Sequence, residues 1–136
     1  MSVNKEIVSK YIEGFNENDH FKMLSCLNSN AEWIMPGVFH LVGIEALDQE
    51  MEDDAFAGHP AVQITRMTEE QNVVVAEGSV RVEWKKGGFL EAVFCDVFEM
   101  ENAKIKRLTT YQVNLKADAK EQISRGRGKP RVVVKA

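Results

Sequence analysis

The chain predicts an α+β domain, and three features of its patterning predict it. Apolar residues recur at spacings of three and four near the N-terminus, four consecutive period-two runs fill the second half, and the links between those runs are short. Read along the chain, the order is helix, helix, strand, helix, then four strands. Long neighbouring strands joined by short turns make those four an antiparallel meander. An amphipathic helix set against a curved sheet gives a cone, and the concave face of a cone is a natural pocket.

Each element has its own signal. Residues 3–17 carry Ile7, Val8, Tyr11, Ile12 and Phe15 on one helical stripe, with Ser2 placed to cap the start and Asn16-Glu17-Asn18-Asp19 to end it. A short helix over residues 20–27 has Phe21, Met23, Leu24 and Leu27 as its apolar set, and Asn28-Ser29-Asn30 reads as a turn. Residues 31–35 read as a strand closed by Pro36-Gly37, and residues 44–56 as a third helix with Ile44, Leu47, Met51 and Ala55 on one stripe. The strand over 62–68 is turned by Glu69-Glu70-Gln71-Asn72. In the run 73–84, Val74, Ala76, Val80, Val82 and Trp84 share a face, and Gly78 marks a bulge or bend. Lys85-Lys86-Gly87-Gly88 makes a hairpin into the strand 90–100. Glu101-Asn102-Ala103 turns into the last strand, 104–115. There Ile105 and Leu108 have opposite parity, so alternation does not decide which of Thr110 and Tyr111 faces inward.

Composition narrows the class of protein. The 136 residues suit one domain with a real core, and 44% hydrophobic with 28% charged residues is ordinary for a soluble globular chain. No apolar run approaches the ~20 residues a membrane span needs. The N-terminus is polar and opens into a helix, so no secretory signal is expected, and Cys26 and Cys95 read as reduced thiols of a cytoplasmic protein. The net charge of −4 divides unevenly: residues 116–136 hold seven Lys/Arg against Asp118 and Glu121, or +5, leaving −9 for residues 1–115. The expected organisation is a domain over 1–115 and a basic C-terminal extension over 116–136. An acidic body disfavours nucleic acid as a partner. The tail reads more readily as docking on that body or on a neighbouring subunit, where Arg131-Val132-Val133-Val134 could add a strand to a sheet edge. The acidic run Glu50, Glu52, Asp53, Asp54 lacks the spacing and glycine of a calcium loop and reads as a solvated face. Three scattered histidines make no metal site, and no metal or other cofactor is expected.

One residue breaks the pattern. In the strand 90–100, Leu90, Ala92, Phe94, Phe98 and Met100 share a face, and Asp96 falls on it. A carboxyl among large apolar groups must be paired, hydrogen-bonded or held protonated. That makes Asp96 the leading candidate for chemistry or for orienting a ligand; the alternative is a purely structural bond to a neighbouring Tyr, Thr or Arg. Tyr11, on the apolar stripe of the first helix, is its attractive partner.

This order of elements, with Asp96 in place, resembles the nuclear-transport-factor-2-like superfamily over about residues 4–115. Within it the chain resembles the ketosteroid isomerase and SnoaL-like polyketide cyclase group. Tyr11-Ile12-Glu13 looks like the isomerase segment that carries the tyrosine of its oxyanion hole. Asp96-Val97-Phe98-Glu99-Met100, followed by a turn and Lys104-Ile105, looks like the stretch carrying its second donor, a carboxylic acid kept protonated. The resemblance implies a cone of curved, mixed, mostly antiparallel sheet wrapped on three N-terminal helices, of the cystatin-like type. It also implies a homodimer. One position departs from the isomerase: its general base is an aspartate before a proline, and the corresponding pair here is Met35-Pro36. Methionine cannot abstract a proton, so classical steroid isomerisation is not expected. A related family, limonene-epoxide hydrolase, uses an Asp-Arg-Asp set. Arg81 and Arg107 are present, but no second apolar-face Asp can be placed with them.

The expected site therefore has Asp96 and Tyr11 as hydrogen-bond donors to a carbonyl oxygen. His40, beyond the first strand, serves as a replacement base or else is an exposed loop histidine. Trp33, Met35, Phe39, Phe94, Phe98 and Tyr111 form the apolar lining, while His20 and His59 read as surface or cap residues. The expected ligand is a small apolar carbonyl compound, handled by isomerase- or cyclase-type chemistry through an enolate. The other reading is a non-catalytic small-molecule-binding or dimerisation module that has lost its base.

Overall fold

The computed structural model describes residues 1–51 and 56–115. The expected basic extension over 116–136, Ala55 of the expected third-helix stripe, and the acids Glu52, Asp53 and Asp54 lie outside the described residues. The third helix, expected to run to residue 56, ends at Glu50, and Phe56 bridges Trp84 instead. Three helices, α1 (Val3–Glu17), α2 (His20–Leu24) and α3 (Ile44–Glu50), accompany six strands: β1 (Leu27–Met35), β2 (Phe39–Val42), β3 (Ala61–Glu70), β4 (Val73–Glu83), β5 (Phe89–Glu101) and β6 (Lys104–Leu115). They form one sheet in the order β2-β1-β6-β5-β4-β3. Every pairing is antiparallel except β1 with β6, so β3 to β6 is the meander the turns predict.

The helices bury their apolar stripes on one face of this sheet. Val8, Tyr11 and Ile12 of α1 and Leu47 of α3 join Ala31, Val74, Ala76, Phe98, Met100, Ile105 and Leu108 in a single core. Ser2 caps α1 by accepting from the Lys5 amide at 3.1 Å, and Asn18 ends it in the left-handed region at φ 54°. Gly14 lets α2 approach, since a Cβ there would lie 2.6 Å from Met23 Cγ. The edge strand β3 is tied to α1 by one side chain. Asn16 donates to the Val62 carbonyl at 3.0 Å and accepts from the Val62 amide at 2.7 Å, replacing a neighbouring strand at that residue.

Two irregularities shape the sheet. At Gly78 the β3–β4 register shifts, so that Ile64 faces Gly78 while Arg66 faces Glu77, leaving Thr65 as the extra residue. A Cβ on Gly78 would sit 2.0 Å from the Gln63 carbonyl oxygen, so only glycine fits this bend. A second shift in β5–β6 pairs Met100 with Ile105 but Glu99 with Arg107. That extra residue explains the broken parity of Ile105 and Leu108, and it puts Thr110 on the inner face and Tyr111 on the outer one.

Three local expectations are corrected. Asn28-Ser29-Asn30 is an irregular part of β1, not a turn: Asn28 Oδ1 accepts from the Asn30 amide at 3.0 Å, and the β1–β6 register slips between Leu27 and Glu32. The second helix accordingly stops at Leu24 instead of running to Leu27. The residues after Pro36-Gly37 are not an open loop but β2, which returns along β1 with Ile34 opposite His40 and Met35 opposite Phe39.

Candidate ligand-binding site

Period-two alternation along β5 carries Asp96 into the core face between Phe94 and Phe98, where it is only 9% exposed. Burial pushes its carboxyl up from the usual carboxylate range to about 7. The opposing influence is a hydrogen bond from Thr110, its cross-strand partner on β6. The Thr110 hydroxyl in turn accepts from the Trp33 indole N–H of β1 at 2.9 Å. A polar relay Trp33–Thr110–Asp96 thus crosses three adjacent strands beneath an otherwise apolar wall.

Tyr11 reaches the same place from α1. Its ring packs edge-on against Phe15 at 5.3 Å and Phe98 at 5.9 Å, and it is 1% exposed. Burial first, and the nearby Asp96 and Cys26 after it, push the phenol well above its ordinary range, so it remains a donor. Tyr11 Oη and Asp96 Oδ1 are both buried, and neither has a hydrogen-bond partner among the described residues. Unpaired buried polar atoms are costly, so two lining one cavity mark its polar floor.

That cavity encloses about 540 Å³. Trp33, Met35, Phe39 and Phe94 line it, and Phe15, Val80, Val82, Leu90 and Met51 complete its apolar walls. The methionine in the place of the isomerase base therefore does face the cavity. Phe98 does not: it is fully buried behind Tyr11 and belongs to the core. Tyr111 is 52% exposed on the opposite face of the sheet, because the β6 bulge reverses its parity, and Thr110 takes the inward position. His40 is also turned outward. In β2, Phe39 and Leu41 face inward, and His40 between them meets Glu32 on the outer face at 2.7 Å. Asp96 and Tyr11 converge; His40 does not join them.

The rim holds what the sequence reading missed. His59 and Lys85 line the cavity and are exposed, with Asn18, Glu50 and Gln112 as further polar neighbours. Nothing in the local sequence signals His59, whose position depends on a tertiary contact. Phe56 bridges Trp84, their rings stack at 4.6 Å, and the Ala57 amide donates to the Glu83 carbonyl at 2.8 Å. Asp96 and Glu50 are the carboxylates among the described lining residues. Arg81 pairs with Glu91, and Arg107 with Glu32 and Glu99, away from the cavity, so an Asp-Arg-Asp set is not assembled. No group of His, Cys, Asp and Glu among the described residues has the spacing to hold a metal ion, and Cys26 and Cys95 are both free thiols. No described helix is long and apolar enough to cross a membrane.

The fold is an α+β cone of the nuclear-transport-factor-2-like type, with an acid and a phenol among the residues lining its cavity. The SnoaL-like domain family matches residues 8–108, and the chain belongs to that family. Comparison with the curated proteins gives no match. Among solved structures, TerC co-crystallised with polyporic acid is similar at 20% identity and a TM-score of 0.73, covering 90% of this chain and 99% of that one. A putative polyketide cyclase from Xanthomonas campestris pv. campestris is similar at 20% identity and 0.73, covering 90% and 95%. An epoxide hydrolase of limonene-epoxide-hydrolase type from M. tuberculosis is similar at 15% and 0.73, covering 91% of each chain. At these identities the likeness is one of fold.

Proposed function

We propose that the cavity binds a small, largely apolar molecule and holds its carbonyl oxygen between the Tyr11 hydroxyl and a protonated Asp96, stabilising the enolate of that carbonyl compound. The observation that carries this reading is the pair of buried oxygens, Tyr11 Oη and Asp96 Oδ1, unpaired among the described residues at one cavity floor. A carbonyl oxygen has two lone pairs and can accept from both at once. Negative charge developing on it would be met by two preorganised donors in a water-poor site, where such bonds strengthen most. Relatives of this fold have been crystallised with small organic molecules, polyporic acid and trimethylamine among them, which supports a ligand-holding role for the cone.

A second reading, binding without turnover, is favoured by Met35 at the cavity wall and by His40 on the outer face of the sheet. Deuterium wash-in separates the two. When 2-tetralone is incubated with the protein in buffered D2O and followed by mass spectrometry, the enolate reading expects the buffer base to take the acidic α-hydrogens and return deuterium faster than background, an exchange lost in Asp96→Ala. Saturable binding with background exchange would instead leave a binding module, and no binding would remove both. A homodimeric assembly remains part of the proposal, with sedimentation as its measurement.

A further inference from the structure

The cavity has two chemically different ends. Its floor offers hydrogen-bond donors within an apolar cup, while its rim offers two basic side chains, Lys85 and His59. These come from segments far apart in sequence but joined on one lip. Lys85 follows Trp84 at the end of β4, and His59 lies three residues beyond Phe56, which is bridged to Trp84 and stacked on it at 4.6 Å. The Lys86 ammonium also lies over the Trp84 ring, 5.2 Å from its centre. The aromatic stack and the Ala57–Glu83 backbone bond together hold both basic groups at the mouth.

Neither Lys85 nor His59 has an ion-pair or hydrogen-bond partner among the described residues, whereas each described arginine has one. Arg66 is bound to Glu77, Arg81 to Glu91, Lys22 to Glu13 and Glu17, and Arg107 to Glu32 and Glu99. Glu50 also lines the cavity, but it already has an interaction of its own. An ammonium and an imidazole N–H left open over an apolar cavity suit an anionic group on the bound molecule.

We propose that Lys85 and His59 form an anion-recognition lip, and that the ligand is a keto acid: an apolar body with a carbonyl oxygen at one end and a carboxylate at the other. This specifies the substrate class of the same site and rests on the reading of its floor as the carbonyl end. The carboxylate stays at the wet mouth, where its desolvation cost is small. The apolar body fills the cup, and the carbonyl reaches Tyr11 and Asp96.

The test uses two probes that differ only at the rim end, 2-tetralone and 6-carboxy-2-tetralone, with calorimetric Kd values for the full chain and its variants. The lip predicts that the acid binds about fivefold tighter than the neutral ketone at low salt, an advantage that shrinks as ionic strength rises. The Lys85→Gln/His59→Asn double variant should remove that advantage, so that the two probes bind with equal Kd. Equal affinity for both probes, or an advantage that survives in the double variant, overturns the lip while leaving the floor intact. An acid preference abolished by the rim variant, with a Kd of 2-tetralone indifferent to Tyr11→Phe and Asp96→Ala, supports the lip and overturns the floor. Failure of both probes to bind overturns the two together.

Discussion

The Trp33 indole donates to the Thr110 hydroxyl across 2.9 Å, and through that hydroxyl an indole on β1 bears on a carboxyl on β5. Thr110 is therefore the hinge of the polar relay. Thr110→Val removes the acceptor for a part-buried indole and the bond that holds Asp96 down. Stability should fall by about 1–3 kcal/mol in urea unfolding. The Asp96 carboxyl, followed by carbon-detected NMR, should titrate higher than in the parent.

Asp96 makes stability depend on pH in an unusual direction for a carboxylate. Its folded value, about 7, lies above the unfolded value near 3.8, so between them the folded chain keeps a proton that the unfolded chain has released. The stabilisation is full below the unfolded value and is lost as pH rises towards and through 7. This one group lowers stability by up to about 1.4 kcal/mol per pH unit across that window. Urea midpoints at pH 5 and pH 8 should show Asp96→Asn gaining on the parent at the higher pH. A constant difference between the two proteins would count against a buried, neutral acid.

Ligand affinity should follow the same proton. A ketone can only accept, so it pairs with protonated Asp96 and loses one donor when the carboxyl ionises. The Kd of 2-tetralone should be flat below pH 7 and weaken above it, by up to about tenfold per unit where Asp96 ionisation controls binding. Asparagine keeps a donor at every pH, so Asp96→Asn should bind with a flat profile.

Gly78→Ala tests the bend in β4. The new Cβ meets the Gln63 carbonyl oxygen at 2.0 Å, and a backbone atom in a paired strand cannot swing aside as a flexible side-chain tip can. A loss of about 3 kcal/mol or more is expected, read as a fall in the thermal midpoint.

Asn16→Ala tests the tie between α1 and β3. It exposes the Val62 amide and carbonyl without a substitute partner, for an expected loss of about 1–2 kcal/mol. Hydrogen exchange at the Val62 amide should accelerate more than at neighbouring residues of β3 that bond to β4.

Strands with clean alternation were legible from sequence, and so was the misplaced carboxyl. Periodicity alone puts Asp96 with Phe94 and Phe98, and helical spacing alone puts Tyr11 on the buried stripe of α1. What sequence could not supply was set by partners far away in the chain. The extra residue in β6 decides between Thr110 and Tyr111, and it is visible only against β5. The strand β2 is four residues long and exists because β1 offers it an edge, so His40 takes its outward direction from pairing rather than from any local pattern. Asn28-Ser29-Asn30 has turn chemistry, yet those residues form an irregularity within β1, between its positions Leu27 and Glu32 that pair with β6. His59 reaches the cavity because an aromatic stack places it there, a contact between segments almost thirty residues apart.

The carboxamide of Asn16 has one more implication. Sheet margins recruit foreign strands where their amides and carbonyls stand idle, and at Val62 both are already occupied by the protein's own first helix. Growth of the sheet along that border would have to displace the helix first, dismantling the wall of the cup as it did so. Self-association through β3 and an intact pocket are thus mutually exclusive at this residue.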